Sequence, residues 1–368
     1  MGRLAEGLVQ AGAEVEILSL NPRKHRAAEV RMPVPMQRID IDTSRVIGPL
    51  LKALAGDSPF VVSRFVSNEF REALRVVMRR FDPDIVQIES PFLLPYTVDE
   101  RKESDARIVL RSLNVEFRIW EGLARNERNR WRRFALSRVA SSLRNYEVRN
   151  LNTPDAIVPI STADFDDFRS LGCTRPMHVV PCGITATDPG DAAPEPGSVG
   201  FIGSLDFRPN QDAVEWIIDE LWPRVIERAP EARLSIAGST PPDWLRQKAR
   251  GRIEFLGAID DARTFMQRTS VIIAPLFAGG GMRIKVLEAM ALGRPIVATT
   301  IGAGGIDVEN GRDILIADDA PSFAECIARL LHERDLAKRI GNAAHATVAE
   351  RYDNDELARG LLAFYESL

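Results

Sequence analysis

Short apolar, β-branched runs alternate along this chain with stretches whose apolar residues recur at three- and four-residue steps, the signatures of buried strands and amphipathic helices. A helix over residues 3–11, with Leu4, Leu8 and Val9 apolar, stops at Gly12 and is followed by a strand over 14–20. Residues 22–56 lose the periodicity at Pro33, Pro35 and Pro49 and read as a variable connection. Alternation returns with helix 66–81, strand 84–90, helix 93–103 and strand 107–113; one long helix then reaches about residue 150, and strand 155–161 precedes another helix. Strand and helix in turn predict an α/β chain of doubly wound parallel sheets. A Pro-, Gly-, Ala- and Asp-rich segment over 185–197 reads as a linker. After it come strands at 199–203, 233–238, 253–257, 295–298 and 314–316, helices from 241–250 and 321–350, and a last helix over 354–368.

The most informative pattern is VIIAPLFAGGGMRIKVLEAMALGRPIVATTIGAGGI, residues 271–306. An apolar run of strand length leads through three glycines into a helical pattern closed by Gly293 and Pro295. Ile284, Leu287 and Ala291 are expected on the buried face, with Glu288 beside it. The glycines leave backbone N–H groups uncovered at the positive end of the helix dipole, where Arg283 and Lys285 add two cations. Cations there oppose the dipole, so the arrangement suits an anion held among them. The pattern thus predicts a site that binds a phosphorylated ligand by charge and uses Glu288 to accept hydrogen bonds from hydroxyls. The alternative is a surface ion pair between Lys285 and Glu288, three residues apart.

At 368 residues, 45% of them hydrophobic, the chain can bury a large core, and its length favours two domains. A net charge of −4 leaves no electrostatic footprint for nucleic acid. Cys173, Cys182 and Cys326 are odd in number and lack metal-site spacing, and none of the four histidines stands in a zinc motif, so no metal is expected and a reducing cytoplasm fits. The longest apolar run, around 271–278, contains Pro275 and falls far short of the roughly 20 residues of a membrane helix. In the doubly wound sheet, ligands gather beyond the carboxyl ends of the strands, which makes Glu89, Ser90, Arg111, Ser112 and Asn114 candidates to face a cleft. The long helix after residue 114 carries arginines from Arg118 to Arg149. Two readings of it stand: a solvated face interleaved with Glu121, Glu127 and Glu147, and a peripheral contact with anionic lipid on the inner face of a membrane.

Gly279, Gly280, Gly281, Met282, Arg283, Ile284, Lys285, then Glu288, Ala289, Met290, Ala291, Gly293 and Pro295 resemble the donor-nucleotide loop of the retaining glycosyltransferases of family 4, in the bacterial polysaccharide-type form GGG-x-R-x-K-x-x-E-A-M-A-x-G-x-P. A second element, LRSLNVEFRIWEGLA, resembles that family's R-x-H-N-V-E-x-x-x-W, with Arg111, Asn114, Glu116 and Trp120 matching and Leu113 in place of histidine. GSLDFRPNQDAV, from Gly203, is similar too, although Ser204 and Arg208 with Asn210 stand where many members have Arg and Lys.

The resemblance implies the GT-B fold: two Rossmann-like domains facing an interdomain cleft, an acceptor-side domain over 1–184 onto which 352–368 crosses back, and a donor-binding domain over 198–351. It implies an enzyme that needs no cofactor and transfers a sugar from a nucleotide-sugar to a glycan or lipid-linked acceptor with retention of configuration, a hexosyltransferase of cell-surface polysaccharide biosynthesis. Arg283 and Lys285 would stabilise the departing diphosphate, with Arg208 as a further candidate. Gly203, Ala258, Ile259, Gly279, Gly280, Gly281 and Met282 would line the donor, Glu288 would take the ribose hydroxyls, and Arg111, Asn114 and Glu116 would touch the acceptor, with helix capping as the other role for Asn114 and Glu116. A common form of the family has a glutamate where Gly280 stands. That departure, together with Leu113 and the absent first strand, keeps a non-catalytic nucleotide-sugar binder open, and a nucleotide-sugar epimerase of the same fold is a second alternative. In the resembling fold a strand and a glycine-rich turn come before the first helix, so the expectation is that both are lacking ahead of residue 3.

Overall fold

A computed structural model describes residues 2–22, 34–43, 59–100, 104–127, 129–185, 193–248, 251–278 and 281–368. The chain divides into two compact units, Met1–Pro181 with Asn354–Leu368, and Cys182–Asp353.

The first unit runs α1 (Gly2–Gln10), β1 (Ile17–Pro22), β2 (Met36–Ile41), α2 (Asn68–Phe81), β3 (Ile85–Ile88), α3 (Leu94–Glu100), β4 (Arg107–Ser112), α4 (Glu116–Asn126), α5 (Arg130–Asn150), β5 (Ala156–Pro159) and α6 (Thr162–Ser170). Its strands are parallel and form two separate sheets, β1-β2 and β3-β4-β5. Alternate residues of β4 and β5 serve opposite faces, as the two-residue period of a strand requires. Ile108, Leu110 and Ile157 pack with Leu143, Tyr146 and Phe168 on one side, while Val109, Ala156 and Val158 pack with Leu4, Leu8, Ala358 and Leu361 on the other. Strands covered on both faces lose the apolar/polar alternation, which explains the near-continuous run RIVL. Between the two sheets lies a cavity of about 1620 Å³ lined by both, including Ile17, Leu18, Leu20, Ile85 and Gln87.

The second unit runs β6 (Glu195–Ile202), α7 (Arg208–Trp216), α8 (Trp222–Arg228), β7 (Arg233–Ala237), β8 (Ile253–Gly257), α9 (Ala262–Arg268), β9 (Thr269–Ala274), α10 (Ile284–Ala291), β10 (Ile296–Ala298), β11 (Leu315–Ile316), α11 (Ala320–His332) and α12 (Arg334–Arg351). A π-helical turn, Ile217–Leu221, joins α7 to α8. The six strands are parallel in the order β11-β10-β9-β6-β7-β8. Val199, Phe201, Leu234, Ile236, Val271 and Ile273 anchor the core with Ile217, Leu221 and Phe323. The last helix, α13 (Asn354–Glu366), belongs to the first unit, where Asn354 Nδ2 donates to Arg3 O at 2.7 Å.

The structure departs from the sequence reading in several places. Residues 36–41, placed in an irregular connection, form β2 against β1, because the prolines that break the pattern flank the strand rather than interrupt it. The single helix expected to run to 150 is two, and Asn129 caps the second by accepting from Trp131 and Arg132 N–H. Residues 178–183 form no strand, and Met177 and Ile184 on either side make only isolated bridges. The end of the expected linker is already strand, since β6 starts at Glu195.

Candidate active site

The chain passes from β6 through β7 and β8 and then returns to β9 on the other side of β6. Connections from these two neighbours therefore leave in opposite directions, and a crevice opens outside their carboxyl ends, the usual ligand position in such sheets. Backbones crowd there. A Cβ on Gly238, after β7, would lie 2.0 Å from Gly203 O, after β6. Gly305, in the loop after β10, has φ +80°, and a Cβ there would stand 2.8 Å from Met282 Cα. The loops after β9 and β10 thus meet backbone to backbone, a role for the glycines of the string GAGG at 302–305 that the sequence reading did not assign.

The loop after β9 carries the predicted phosphate site. Gly281 takes φ +71° and Met282 is buried; Gly279 and Gly280 lie outside the described residues. Arg283 occupies the N-cap position of α10 without a side-chain cap bond. Val286 and Leu287 N–H both donate to Arg283 O, so the N–H groups of Ile284 and Lys285 fall in the turn that an α-helix cannot pair within itself. Burial pulls the Arg283 guanidinium below its ordinary pKa, and arginine starts so high that it remains a cation. Ile284, expected on the buried face, is 37% exposed; Val286, Leu287, Met290 and Ala291 form that face instead.

Lys285 Nζ lies 3.0 Å from Glu288 Oε2, so the ion pair offered as the simpler reading is present. The pair does not satisfy the carboxylate. Oε2 is shielded from solvent and no donor is aligned on it as a hydrogen bond, Lys285 included, because the approach fails in direction rather than distance. A buried acceptor without an aligned donor costs free energy that a ligand hydroxyl can recover.

The remaining donor-side candidates follow the carboxyl ends of neighbouring strands. Gly203 N–H donates to Ala237 O at 3.0 Å. Ala258, exposed, and Ile259, half-buried, come directly after Gly257, whose φ is +72°. Arg208 opens α7, 65% exposed, and pairs with Asp212 at 2.7 Å. That is the geometry of a surface i,i+4 pair.

In the first unit, Arg111 is 3% exposed and pairs with Glu89 Oε2 at 3.0 Å, so it is turned into the domain. Asn114 does not cap α4, as the capping alternative expects: the cap position is Val115, and Asn114 Oδ1 is buried without a partner. The cap comes from Glu147, thirty residues on, whose carboxylate accepts from Phe117 N–H at 2.8 Å and Glu116 N–H at 3.1 Å. Glu147 is therefore buried, not part of a solvated face. Burial pushes both Glu147 and Glu116 up to about 7. Sequence spacing offered no signal for this cap, since it joins two helices.

Among the described residues no cluster of His, Cys, Asp and Glu is arranged to hold a metal ion, and no helix is long and apolar enough to cross a membrane.

A family model described as Glycosyltransferase Family 4 matches residues 1–188, and one described as Glycosyl transferases group 1 matches residues 196–333. An uncharacterised 44.6 kDa protein in the cps region of Klebsiella pneumoniae is 23% identical over 298 residues, 78% of this chain and 75% of that protein. Phosphatidyl-myo-inositol mannosyltransferase of Mycobacterium leprae is 32% identical over 178 residues, 46% of each chain, so that alignment spans about half of the relative. Among solved structures, sucrose-phosphate synthase from Thermosynechococcus elongatus superimposes with a TM-score of 0.73 at 16% identity, covering 99% of this chain and 91% of that one. The Anabaena protein HepE in complex with UDP-glucose gives 0.62 at 15% identity, over 96% and 100%. At these identities the two structures speak for the fold, which is GT-B.

Proposed function

The chain belongs to the glycosyltransferase family whose domain model matches its residues 1–188, and from that premise we propose that it takes a sugar from a nucleotide-sugar and transfers it, with retention of configuration, to a glycan or lipid-linked acceptor of cell-surface polysaccharide biosynthesis. The observation that carries this reading is Glu288 Oε2, a shielded acceptor without an aligned donor, one turn along a helix that begins with Arg283 and Lys285. A nucleoside diphosphate presents the matching groups: hydroxyls on the ribose and negative charge on the phosphates.

The chemistry follows from where charge develops. As the bond from sugar to diphosphate breaks, negative charge grows on the leaving group, and Arg283, Lys285 and the first N–H groups of α10 are held ready for it. Donors fixed in advance towards developing charge lower barriers by several kcal/mol in enzymes of many kinds. Lys285 changes partner on binding, leaving Glu288 for phosphate, while Glu288 accepts from ribose. Gly203, Ala258, Ile259, Gly281 and Met282 supply backbone walls at the same sheet edge, and Asn114 and Glu116 act on the acceptor side, with Arg111, buried and paired with Glu89, supporting that side from within the domain. The test is release of nucleoside diphosphate from a panel of nucleotide-sugars. A binder without activity would shift in thermal denaturation and release nothing; an epimerase would convert the donor sugar without an acceptor.

For the first unit we further infer that an apolar extended segment joined ahead of α1 lies between β1 and β3. Three features support it: the sheet is split at that point, the apolar residues of β1 and Ile85 and Val86 of β3 are half-buried where those of β4 are buried, and the intervening cavity is lined by both strands. An open strand edge invites pairing, and a right-handed β-α1-β1 crossover would bring such a segment beside β1. Upstream in-frame sequence encoding an apolar strand, whose inclusion raises solubility, is the expected result; absence of such a segment from the gene would sink the idea.

A further inference from the structure

The turn after β10, residues 299–307, is held from two sides. On one side it rests against the loop after β9. Thr299 Oγ1 donates to Leu276 O and accepts from Gly302 N–H. A Cβ on Gly302 would lie 2.0 Å from Ala274 O, and the one on Gly305 that meets Met282 Cα would also stand 3.2 Å from Gly281 C. Backbone therefore touches backbone, with no side chain between to absorb a shift. Among the described residues Gly281 and Met282 take part in no hydrogen bond of their own, so the turn is what fixes them. On the other side the turn is gripped from the end of α12. Asp307 N–H donates to Tyr352 Oη at 2.7 Å, and the Asp307 carboxylate pairs with Arg351. That ion pair is solvated on both partners and contributes little, whereas Tyr352 is 3% exposed and its ring is locked by packing. Tyr352 O in turn accepts from Ile184 N–H at 2.8 Å, and Ile184 bridges Asp353, the last residue of this unit.

We propose that Tyr352 is a positioning residue for the sugar donor: by anchoring Asp307 it seats the 299–307 turn on Gly281 and Met282, and so fixes the N–H groups that open α10. This inference rests on reading residues 281–285 as the cradle of the donor diphosphate. The coupling passes through three contacts in series, Tyr352 to Asp307, Gly305 to Met282, and Met282 along the chain to Arg283 at the helix start. Such support is needed because N–H donors lower a barrier only when they are already in place as charge develops. A loop beyond the end of a strand has no ladder to hold it there. Tyr352 touches neither donor nor acceptor in this role and acts only through the turn. Thr347, on the same helix, makes a comparable buried bond, its Oγ1 donating to Asp313 Oδ2 at 2.9 Å. Asp313 also accepts from Glu309 N–H, so that bond holds the chain beyond the turn rather than the turn itself.

The test is hydrogen exchange of the intact protein without ligand, read by mass spectrometry. Tyr352→Phe keeps the ring and removes the hydroxyl. The amides of Val286 and Leu287, which donate to Arg283 O, should then exchange roughly three- to tenfold faster, the worth of one hydrogen bond, while those of β7 keep the parent's rate. Thr347→Val should lower Tm at least as much as Tyr352→Phe and leave the exchange of Val286 and Leu287 unchanged. Unchanged exchange in Tyr352→Phe overturns the proposal. Equal loosening in Thr347→Val overturns it too, because general destabilisation would then explain the effect. Calorimetric titration with UDP, GDP and ADP forms the second arm: whichever of them the parent binds should bind Tyr352→Phe about three- to tenfold more weakly. An unchanged Kd in a loosened variant overturns the donor role of Tyr352 and leaves the nucleotide-sugar reading intact. A parent that binds none of the three contradicts that reading itself and the donor role with it, and the exchange arm separates the two failures by reporting the contact with the turn in either case.

Discussion

Glu288 illustrates what a residue's spacing can and cannot reveal. Its place one turn into a helix behind two cations was legible from the order of residues, because a glycine-rich entry and a Gly-x-Pro exit bracket α10 tightly. The ion pair with Lys285 was legible as an alternative, and both readings meet in one geometry: the pair exists at 3.0 Å, yet the nearer oxygen receives no aligned hydrogen bond. Glu288→Ala is expected to weaken nucleotide binding by about one to two orders of magnitude, the worth of charge-involving hydrogen bonds at roughly 1.5–3 kcal/mol, while thermal denaturation without ligand stays near the parent. Calorimetric titration that gives an unchanged Kd in a folded variant would remove Glu288 from the site. Arg283→Gln and Lys285→Gln should depress kcat more than donor affinity, since attraction to the diphosphate strengthens as its charge develops. Equal turnover in both variants would reduce them to local cations. Ile284 was misplaced because three- and four-residue periodicity counts neighbours along a helix, and the first residue of a helix has a loop beneath it rather than another turn.

At the scale of the element, long periodic stretches were read well and junctions poorly. β9, α10 and the strand of residues 253–257 stand where the pattern puts them, because each pairs or packs along its whole length. The break between α4 and α5 was not legible in an arginine-rich stretch, and the cap of α4 depends on a carboxylate thirty residues away that periodicity cannot couple to it. This cap carries a pH prediction. Glu116 and Glu147 are raised to about 7 by burial, above the ordinary carboxylate value of roughly 4.3. The folded state therefore keeps protons that the unfolded chain gives up, so the associated stability is present below about pH 4 and is lost as pH rises through about 7. Tm should fall between pH 5 and pH 8, and Glu116→Gln should flatten that fall. Glu147→Ala should cost about 1–3 kcal/mol by leaving two helix-start N–H groups without an acceptor, whereas Glu121→Ala, on a half-exposed side chain, should change chemical denaturation by less than about 0.5 kcal/mol.

For the whole molecule, two α/β units with parallel sheets follow from alternating strand and helix patterns, and the switch between β6 and β9 gathers residues that lie as far apart in sequence as Gly203, Ala258 and Glu288 onto one sheet edge. That gathering was not legible from spacing, because strand order within a sheet is decided by crossovers rather than by neighbouring residues. Resemblance to the family supplied it instead, through three separate elements of the chain. The account therefore stands or falls on whether this edge holds and activates a sugar donor. The most direct measurement offers the intact protein a panel of nucleotide-sugars, together with a glycan and lipid extract as acceptor, and follows nucleoside diphosphate release for the parent and for Glu288→Ala. The account predicts release from a preferred donor that depends on the extract and drops at least tenfold in the variant; a folded parent that releases nothing from any donor, or a variant that matches it in full, would contradict it.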